Sequence, residues 1–337
     1  MNFQIDNLLE LSHCYAVAST RILGRDTWFF APDDIGPCLA MDAETQTVQN
    51  VWDEPGGTMS IIPVPGSDCE ILASQNFMPG FRANGARIVR ARFENNRWDV
   101  HLWLELPYVH RFDIVTFKDH YWFIGCILSG TTEKSVDWTS PGRIIVASLD
   151  HDLTPPRNFT TIADGMYRNH GYFHGNVCGQ ELILTACEKG VFRIHPSEKS
   201  DQWRVERLTQ EPASDVTACD LDGDGRPELI VIAPFHGDRI IVYHGSDAGY
   251  VQTTEIAHHS SFLHAIWSGE LRKQPVALVG GRGGAKETLL VTCHDGAYHV
   301  DLIESGFGAS NFFVDKDCIL VANREAGVCT KYIVGNE

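Results

Sequence analysis

The sequence predicts an all-β protein built from about seven copies of one small β-sheet unit. Short β-rich segments, broken by Gly, Asp or Asn turns, recur with a period of about 45–50 residues. No helical pattern separates them. Strands repeated in this way are typical of a β-propeller. We expect seven blades, with six or eight as the alternatives, over residues 11–54, 57–106, 107–165, 166–210, 211–256, 257–303 and 304–334.

The clearest copy of the unit spans residues 215–243. Its inner strand starts at Asp215 and is followed by an acidic turn, DLDGDGRPE, and by the apolar strand LIVIA. The last unit is one strand short, and the N-terminal segment NFQIDNLLEL can supply that strand and close the ring. Such closure protects sheet edges that an open array would expose. We therefore expect residues 1–337 to form a single β-propeller domain.

The acidic turn has the composition of a cation site. Its carboxylates alternate around two glycines, an arrangement that suits a hard cation such as Ca²⁺. A strand follows the loop where an EF-hand would need a helix, so the loop resembles the FG-GAP or VCBS type found in propellers. A structural Ca²⁺ without a catalytic role is the prediction, and an acidic β-turn that binds nothing is the alternative. The predicted ligands are Asp220, Asp222, Asp224 and Glu228.

Composition narrows the class of partner. A formal net charge of −17 argues against nucleic acid or an anionic membrane as a partner. No apolar run approaches the roughly 20 residues of a membrane span, and the N-terminus lacks signal-peptide features, so we expect a cytoplasmic protein with a small-molecule substrate. The ten cysteines lack CxxC spacing and are interpreted as reduced thiols, most of them in the core.

Polar residues at the starts of the inner strands mark the candidate site. In a propeller these starts lie on one face around the axis. Imidazoles and a carboxylate that converge there can bind a divalent metal such as Mg²⁺, Mn²⁺ or Zn²⁺, or act as acid and base. The alternative is that each histidine hydrogen-bonds the backbone of a neighbouring blade. The predicted axial metal ligands are His110, His170, Asp215 and His264, and His13 starts a comparable unit.

Loops on the same face add further candidates. Cationic side chains beside a histidine cluster suit an oxygen whose negative charge grows during a reaction. The GGRGG segment opens no helix, so its glycines are expected to let the backbone turn tightly beside the pocket. The loop candidates are Arg82, Asn84, His236, Arg282, Lys286 and Arg324, together with Trp138, Trp267 and, four residues after His170, His174.

The DLDGDGRPE blade, the inner-strand His or Asp residues and the GGRGG loop together resemble the propeller part of aldos-2-ulose dehydratase/isomerase and bacterial VCBS-repeat relatives. The resemblance covers most of the chain as an architecture, but its specific motif is confined to residues 215–243. Such proteins bind a divalent metal at the propeller and eliminate water from keto-sugars. This chain lacks their cupin-like remainder, so an isomerase activity located there does not transfer.

The resemblance implies a metal-assisted lyase, dehydratase or isomerase that acts next to a carbonyl. It implies that His110, His170 and His264 with Asp215 bind the metal or the substrate oxygens. His174 or His170 would then take the proton, with Arg282 or Arg82 stabilising the enolate. His236 is a further catalytic candidate, and the substrate-binding candidates are His13, Asn84, Lys286, Trp138, Trp267 and Arg324. Two other functions stay open: a metal-free cyclase or isomerase, including a pericyclic one, and a non-enzymatic binding scaffold or lectin.

Overall fold

The computed structural model describes residues 1–77, 83–130 and 139–335. In these residues the chain forms 28 β-strands and no α-helix, and it has no helix with the length and apolar character needed to cross a membrane. The strands make seven four-stranded sheets. This is the predicted all-β, seven-bladed propeller.

The strands are short, and six of the seven sheets are each built from four strands that are consecutive in the chain. They are β1 (Phe3–Glu10), β2 (Cys14–Ile22), β3 (Arg25–Pro32), β4 (Cys38–Asp42), β5 (Val48–Trp52), β6 (Ile61–Pro63), β7 (Glu70–Gln75), β8 (Arg87–Glu94), β9 (Arg97–Glu105), β10 (Val109–Phe117), β11 (His120–Ile127), β12 (Gly142–Leu149), β13 (Thr160–Met166), β14 (Gly171–Val177), β15 (Gln180–Cys187), β16 (Gly190–His195), β17 (Arg204–Arg207), β18 (Asp215–Cys219), β19 (Glu228–Ala233), β20 (Arg239–Ser246), β21 (Gly249–Ala257), β22 (Leu263–Leu271), β23 (Gln274–Gly281), β24 (Thr288–His294), β25 (Ala297–Glu304), β26 (Ala309–Asp315), β27 (Cys318–Asn323) and β28 (Val328–Val334).

The chain divides into two compact units. One unit comprises Met1–Glu10, His170–His195 and Val205–Glu337, and we call it the C-terminal unit because most of it follows His170. The other, the N-terminal unit, comprises Leu11–Asn169 and Pro196–Arg204. The assignment of residues 1–337 to a single domain stays a prediction.

The apolar strand of each repeat is the second strand of its sheet. Every residue of β7 and of β19 is buried, because these strands have other layers of side chains on both faces, where a continuous apolar sequence is favoured. The outermost strands have a different burial pattern from these second strands. Strand β25, for example, exposes alternate residues, as expected where one face meets water.

The N-terminal strand completes the last sheet of the C-terminal unit. Strand β1 pairs antiparallel with β28, from Phe3 opposite Val334 to Glu10 opposite Val328. The sheet order is β1-β28-β27-β26, so the final blade takes its fourth strand from the beginning of the chain. The predicted closure by the N-terminal strand is confirmed.

None of the ten cysteines, all within the described residues, forms a disulfide, and six of the ten are buried. Burial raises the pKa of Cys38 well above its usual value and that of Cys219 to about 12. These two thiols are therefore neutral core groups, consistent with small apolar residues rather than nucleophiles.

Candidate functional site

Three histidines of the C-terminal unit converge on one point. His170 immediately precedes the inner strand β14, His264 lies at the start of the inner strand β22, and His236 lies in the loop between β19 and β20. Their ring centroids form a nearly equilateral triangle, with sides of 5.2 Å, 5.0 Å and 5.2 Å. One nitrogen from each ring lies within 4.8 Å of the others. This three-histidine cluster has the donor set of a divalent transition-metal site.

Backbone carbonyls hold two of these imidazoles in place. Nδ1 of His170 lies 3.2 Å from the carbonyl oxygen of Ser214, and Nδ1 of His264 lies 3.0 Å from that of Ser310. Each carbonyl belongs to the start of the next inner strand. Because a carbonyl can only accept, Nδ1 carries the proton in each bond and Nε2 keeps its lone pair. The expected alternative, a histidine bonded to a neighbouring blade, is thus observed for both residues and is compatible with metal binding through Nε2.

The loop that carries His236 is tied to the start of β22. The backbone N–H of Leu263 donates to the carbonyl oxygen of Gly237 over 2.8 Å. A Cβ atom at Gly237 would lie only 2.5 Å from the carbonyl oxygen of Ala233, so this tight turn requires glycine. His236 itself has a φ of 50°, a left-handed conformation that histidine adopts more readily than most residues.

Aromatic rings cover the cluster. Phe235 stacks on His236 with centroids 3.8 Å apart, and Phe262 lies 4.1 Å from the same ring. His170 and His264 are each 2% exposed, whereas His236 is partly exposed. His236 is therefore the most accessible ring of the cluster, and it lies between two apolar rings.

An ion pair between Arg282 and Glu325 lies beside the Phe262 ring. The guanidinium carbon of Arg282 lies 4.9 Å from the centre of the Phe262 ring, and its Nη2 lies 2.7 Å from Oε1 of Glu325. Burial opposes ionisation of Glu325, but the hydrogen bond and charge of Arg282 outweigh it, and the pKa of Glu325 is lowered. Arg282 is thus held one ring away from the three-histidine cluster, in contact with Glu325.

The GGRGG segment packs closely against the loop before β22. A Cβ atom at Gly281 would lie 2.6 Å from Cβ of Ser260, and one at Gly284 would lie 2.7 Å from the carbonyl oxygen of His259. These glycines permit close backbone approach beside the cluster, as expected from the sequence.

Asp215 lies beside the cluster rather than in it. Its Oδ2 is 3.7 Å from Nδ1 of His170, and its Oδ1 accepts the N–H of Val216. Inner strands β14 and β18 approach so closely here that a Cβ atom at Gly171 would lie 2.7 Å from Cα of Asp215. At this distance Asp215 makes an electrostatic contact with His170 without a hydrogen bond, and it does not belong to the three-histidine cluster.

The inner strands begin with a common irregularity that shifts the predicted register. The pairing of β2, β10, β22 and β26 skips one residue near its start. The skipped residue is His264 in β22 but Tyr15 in β2, so His13 lies two residues too early. In the fifth sheet, Ser214 is the counterpart of His170, and Asp215 lies one residue too late. His13 and Asp215 were predicted to be equivalent to His110, His170 and His264. That predicted equivalence was therefore wrong.

His13 and His110 lie in the N-terminal unit. Nε2 of the buried His110 is 3.4 Å from the Tyr15 hydroxyl, and its ring meets Phe77 edge-on. His13 is half exposed, with Nδ1 3.3 Å from Oδ2 of Asp34. Within that unit neither residue belongs to a group of three close metal-ligating side chains among the described residues.

His174 and Trp267 lie elsewhere in the C-terminal unit. Both line a cavity of about 700 Å³ between β14, β18 and β22. Nε2 of His174 is 3.1 Å from Oε1 of Glu181. At about 3.3 Å per residue, the Cα of His174 is roughly 13 Å along the strand from that of His170. His174 therefore does not join the three-histidine cluster.

The remaining loop candidates are dispersed. Asn84 is exposed in a short 3₁₀ turn. Lys286 is partly buried in the loop between β23 and β24, and Nη1 of Arg324 lies 3.2 Å from Oε1 of Glu325. Arg82 and Trp138 lie outside the described residues.

A second group of ligating side chains surrounds the acidic turn between β18 and β19. Nε2 of His244, on β20, lies 3.3 Å from Oδ2 of Asp222, 3.2 Å from Oδ2 of Asp224 and 3.6 Å from Oε1 of Glu228. All four groups place a ligating atom within 4.8 Å of the others. We call this group the His244 site.

Asp220, the first carboxylate of the turn, accepts hydrogen bonds from the turn itself. Its Oδ1 accepts the N–H of Gly223, and its Oδ2 accepts the N–H of Gly225 and the thiol of Cys178. Asp220 therefore stabilises the turn from within, while the other three carboxylates face His244.

Glu228 is the buried member of the His244 site. It is 0% exposed, and burial raises its pKa to about 7. Its Oε2 accepts the N–H of Leu221, whereas its Oε1 makes no hydrogen bond of ordinary geometry to the described residues. Burial, followed by the charge of Glu228, raises the pKa of the nearby Tyr298 hydroxyl.

Sequence reasoning missed His244. Strand β20 reads as an ordinary apolar strand, and only its pairing reveals the contact: Tyr243 lies opposite Leu229, so the next residue, His244, falls beside Glu228. The signal that could have found it is this β19–β20 hairpin register. His236 was named from its loop, but not as a metal ligand.

Comparisons with known proteins agree with the fold. The FG-GAP repeat family model matches residues 213–253, which contain the acidic turn. No curated protein matched the chain. The resemblance to aldos-2-ulose dehydratase/isomerase receives no support from these comparisons and stays a prediction.

Several solved structures share the architecture at low sequence identity. A streptogramin B lyase is 14% identical with a TM-score of 0.64, and 99% of each chain is covered. A 6-phosphogluconolactonase-like protein of Bacteroides uniformis is 12% identical with a TM-score of 0.60, covering 90% of this chain and 91% of that one. The β-propeller domain of Myceliophteria thermophila Cps50 (Swd1) is 11% identical with a TM-score of 0.65, covering 98% and 100%. At such identities the likeness concerns the fold alone. The chain is a seven-bladed β-propeller whose fifth blade carries an FG-GAP repeat.

Proposed function

We propose that the protein is a metal-assisted lyase, dehydratase or isomerase that acts next to a carbonyl of a sugar-like small molecule. The observation that supports this most is the convergence of His170, His236 and His264, with one nitrogen of each within 4.8 Å of the others. Three histidine donors leave the fourth position of a tetrahedral metal to water or substrate, as is typical of catalytic rather than structural metal sites.

The chain's own residues prepare this site before any metal binds. The carbonyls of Ser214 and Ser310 select the Nδ1–H tautomer of His170 and His264, which leaves Nε2 as the donor. A divalent metal held there would polarise a substrate carbonyl and acidify the adjacent C–H bond. Arg282, placed behind Phe262, is proposed to stabilise negative charge that grows on the substrate oxygen.

The reduced state of the cysteines fits the proposed cytoplasmic location. None of the ten cysteines forms a disulfide in the described residues, as expected for a protein that works in a reducing environment such as the cytoplasm. One of the structural neighbours, a streptogramin B lyase, is an enzyme of the same broad reaction class, the lyases. A second function, a metal-free isomerase or cyclase, is favoured by the apolar walls that Phe235 and Phe262 give the cluster.

The first test is metal content, measured by mass spectrometry on protein purified without chelator. We expect His236→Ala to lose one equivalent of a transition metal relative to the unsubstituted protein. His174→Ala, about 13 Å along the strand from His170 by strand rise, is the matched control and should retain that metal.

The second test is elimination activity on a panel of hydroxy-carbonyl sugars, followed by the ultraviolet absorbance of the conjugated product. Activity that survives both chelation and His236→Ala would favour the metal-free alternative. A full metal complement in His236→Ala protein would overturn the assignment of the three-histidine site.

A further inference from the structure

The acidic turn departs from what a calcium loop requires. Ca²⁺ takes six to eight oxygen ligands, commonly carboxylates and carbonyls. Here the first carboxylate, Asp220, has both oxygens engaged by the backbone N–H groups of Gly223 and Gly225. In the direction the other three carboxylates face, the structure places an imidazole nitrogen, Nε2 of His244.

The distances suit a site with four protein ligands. In a tetrahedral site with bonds of about 2.1 Å, neighbouring ligand atoms are about 3.4 Å apart. The three distances from Nε2 of His244 to the carboxylate oxygens are 3.3, 3.2 and 3.6 Å. The three nitrogen–oxygen distances therefore match the separation of neighbouring ligands in such a site, and all four atoms lie within 4.8 Å of one another.

The burial of one carboxylate oxygen, Oε1 of Glu228, is a second observation that points to a cation ligand. Oε1 of Glu228 is fully buried, faces His244 at 3.6 Å and makes no hydrogen bond of ordinary geometry to the described residues. A buried carboxylate oxygen in this state is costly unless a cation or donor satisfies it.

We infer that the His244 site binds a divalent transition metal of the Zn²⁺ type in preference to Ca²⁺. Imidazole nitrogen is a good donor to Zn²⁺ and a poor one to Ca²⁺, which prefers oxygen. The donors are the carboxylates of Asp222, Asp224 and Glu228 and Nε2 of His244. Asp220 positions the turn without binding the metal.

The experiment uses full-length His236→Ala protein, so that the three-histidine cluster no longer contributes, and measures Zn²⁺ and Ca²⁺ binding by calorimetry after chelator treatment. We expect one equivalent of Zn²⁺ to bind and to displace Ca²⁺. Adding His244→Ala should weaken Zn²⁺ binding at least about tenfold, since even changes outside the coordination shell cost 10–100-fold.

His244→Asp is the second variant, because it exchanges the nitrogen for an oxygen donor. It should reverse the preference toward Ca²⁺, and circular dichroism should show that each variant keeps its β structure. Stronger binding of Ca²⁺ than of Zn²⁺ to the His236→Ala protein, no Zn²⁺ binding, or unchanged Zn²⁺ affinity after both His244 substitutions would each overturn the inference. Because the background already lacks His236, these outcomes are independent of the proposed function.

Discussion

Nδ1 of His264 lies 3.0 Å from the carbonyl oxygen of Ser310, the residue at the same position of the next inner strand. His170 makes the corresponding bond to Ser214. The same hydrogen bond therefore joins two pairs of neighbouring sheets and also presents the opposite ring nitrogen to the three-histidine cluster. One side chain thus joins two sheets and belongs to the candidate metal cluster.

Removing this bond should reduce stability even without metal. In the presence of a metal chelator, we expect His264→Ala to lower the free energy of unfolding by about 1–3 kcal/mol. The reason is that the buried Ser310 carbonyl loses the Nδ1–H donor of His264. Urea denaturation measures the loss. His195→Ala, which removes a partly exposed histidine paired with Glu206, is the control and should cost no more than about 0.5 kcal/mol. Equal losses in the two variants would contradict the role of the bond.

Close approach of β14 and β18 should make Gly171 sensitive to a single methyl group. A Cβ atom there would lie 2.7 Å from Cα of Asp215 and 2.8 Å from Cβ of Ala186. Backbone cannot move aside cheaply, so Gly171→Ala should destabilise the protein by about 1–3 kcal/mol in urea denaturation. At Gly335 the nearest atom would lie 3.4 Å away, so Gly335→Ala should change stability little. A Gly171→Ala protein as stable as the Gly335→Ala protein would show that the strands can separate.

The ion pair between Glu70 and Arg90 should contribute stability that depends on pH. Arg90 donates to both oxygens of Glu70, at 2.9 and 3.0 Å. Burial disfavours the ionised carboxylate, but the hydrogen bonds and charges of Arg90, Ser67 and Arg92 outweigh it, and the pKa of Glu70 is lowered from 4.5.

Because the folded-state pKa of Glu70 is the lower one, its contribution is present above pH 4.5 and is lost as the pH falls through the folded-state value. At pH 7 we expect Glu70→Gln to cost roughly 1–3 kcal/mol in urea denaturation, with the difference shrinking in acid. Glu94→Gln, in an exposed pair with Arg92, should cost about 0.5 kcal/mol or less at either pH. A loss for Glu70→Gln that persists unchanged in acid would exclude the ion pair as its source.

The fold could be predicted because its signals are local and repeated. Apolar strands such as LIVIA and the turns around them recur at one period, and a missing strand in the last unit pointed to the N-terminus. The pairing of β1 with β28 confirms that inference. These features depend on strand periodicity, which a single sequence displays.

The site was less predictable because it depends on register. A one-residue error in the alignment of the inner strands puts the wrong side chain at the axial position, and Asp215 was aligned with His170 although the strand pairing makes Ser214 its counterpart. His244 was missed because its neighbours at the acidic turn come from across a hairpin. Three histidines could be named from the sequence, but their meeting point could not.

The pairing of β1 with β28 has a consequence for how the chain folds during synthesis. Val328 is synthesised more than 300 positions after its partner Glu10. The first strand therefore stays unpaired while the intervening sheets form, and the last sheet closes only after a contact spanning most of the chain. Until β1 pairs with it, β28 presents an open edge that can pair with other chains.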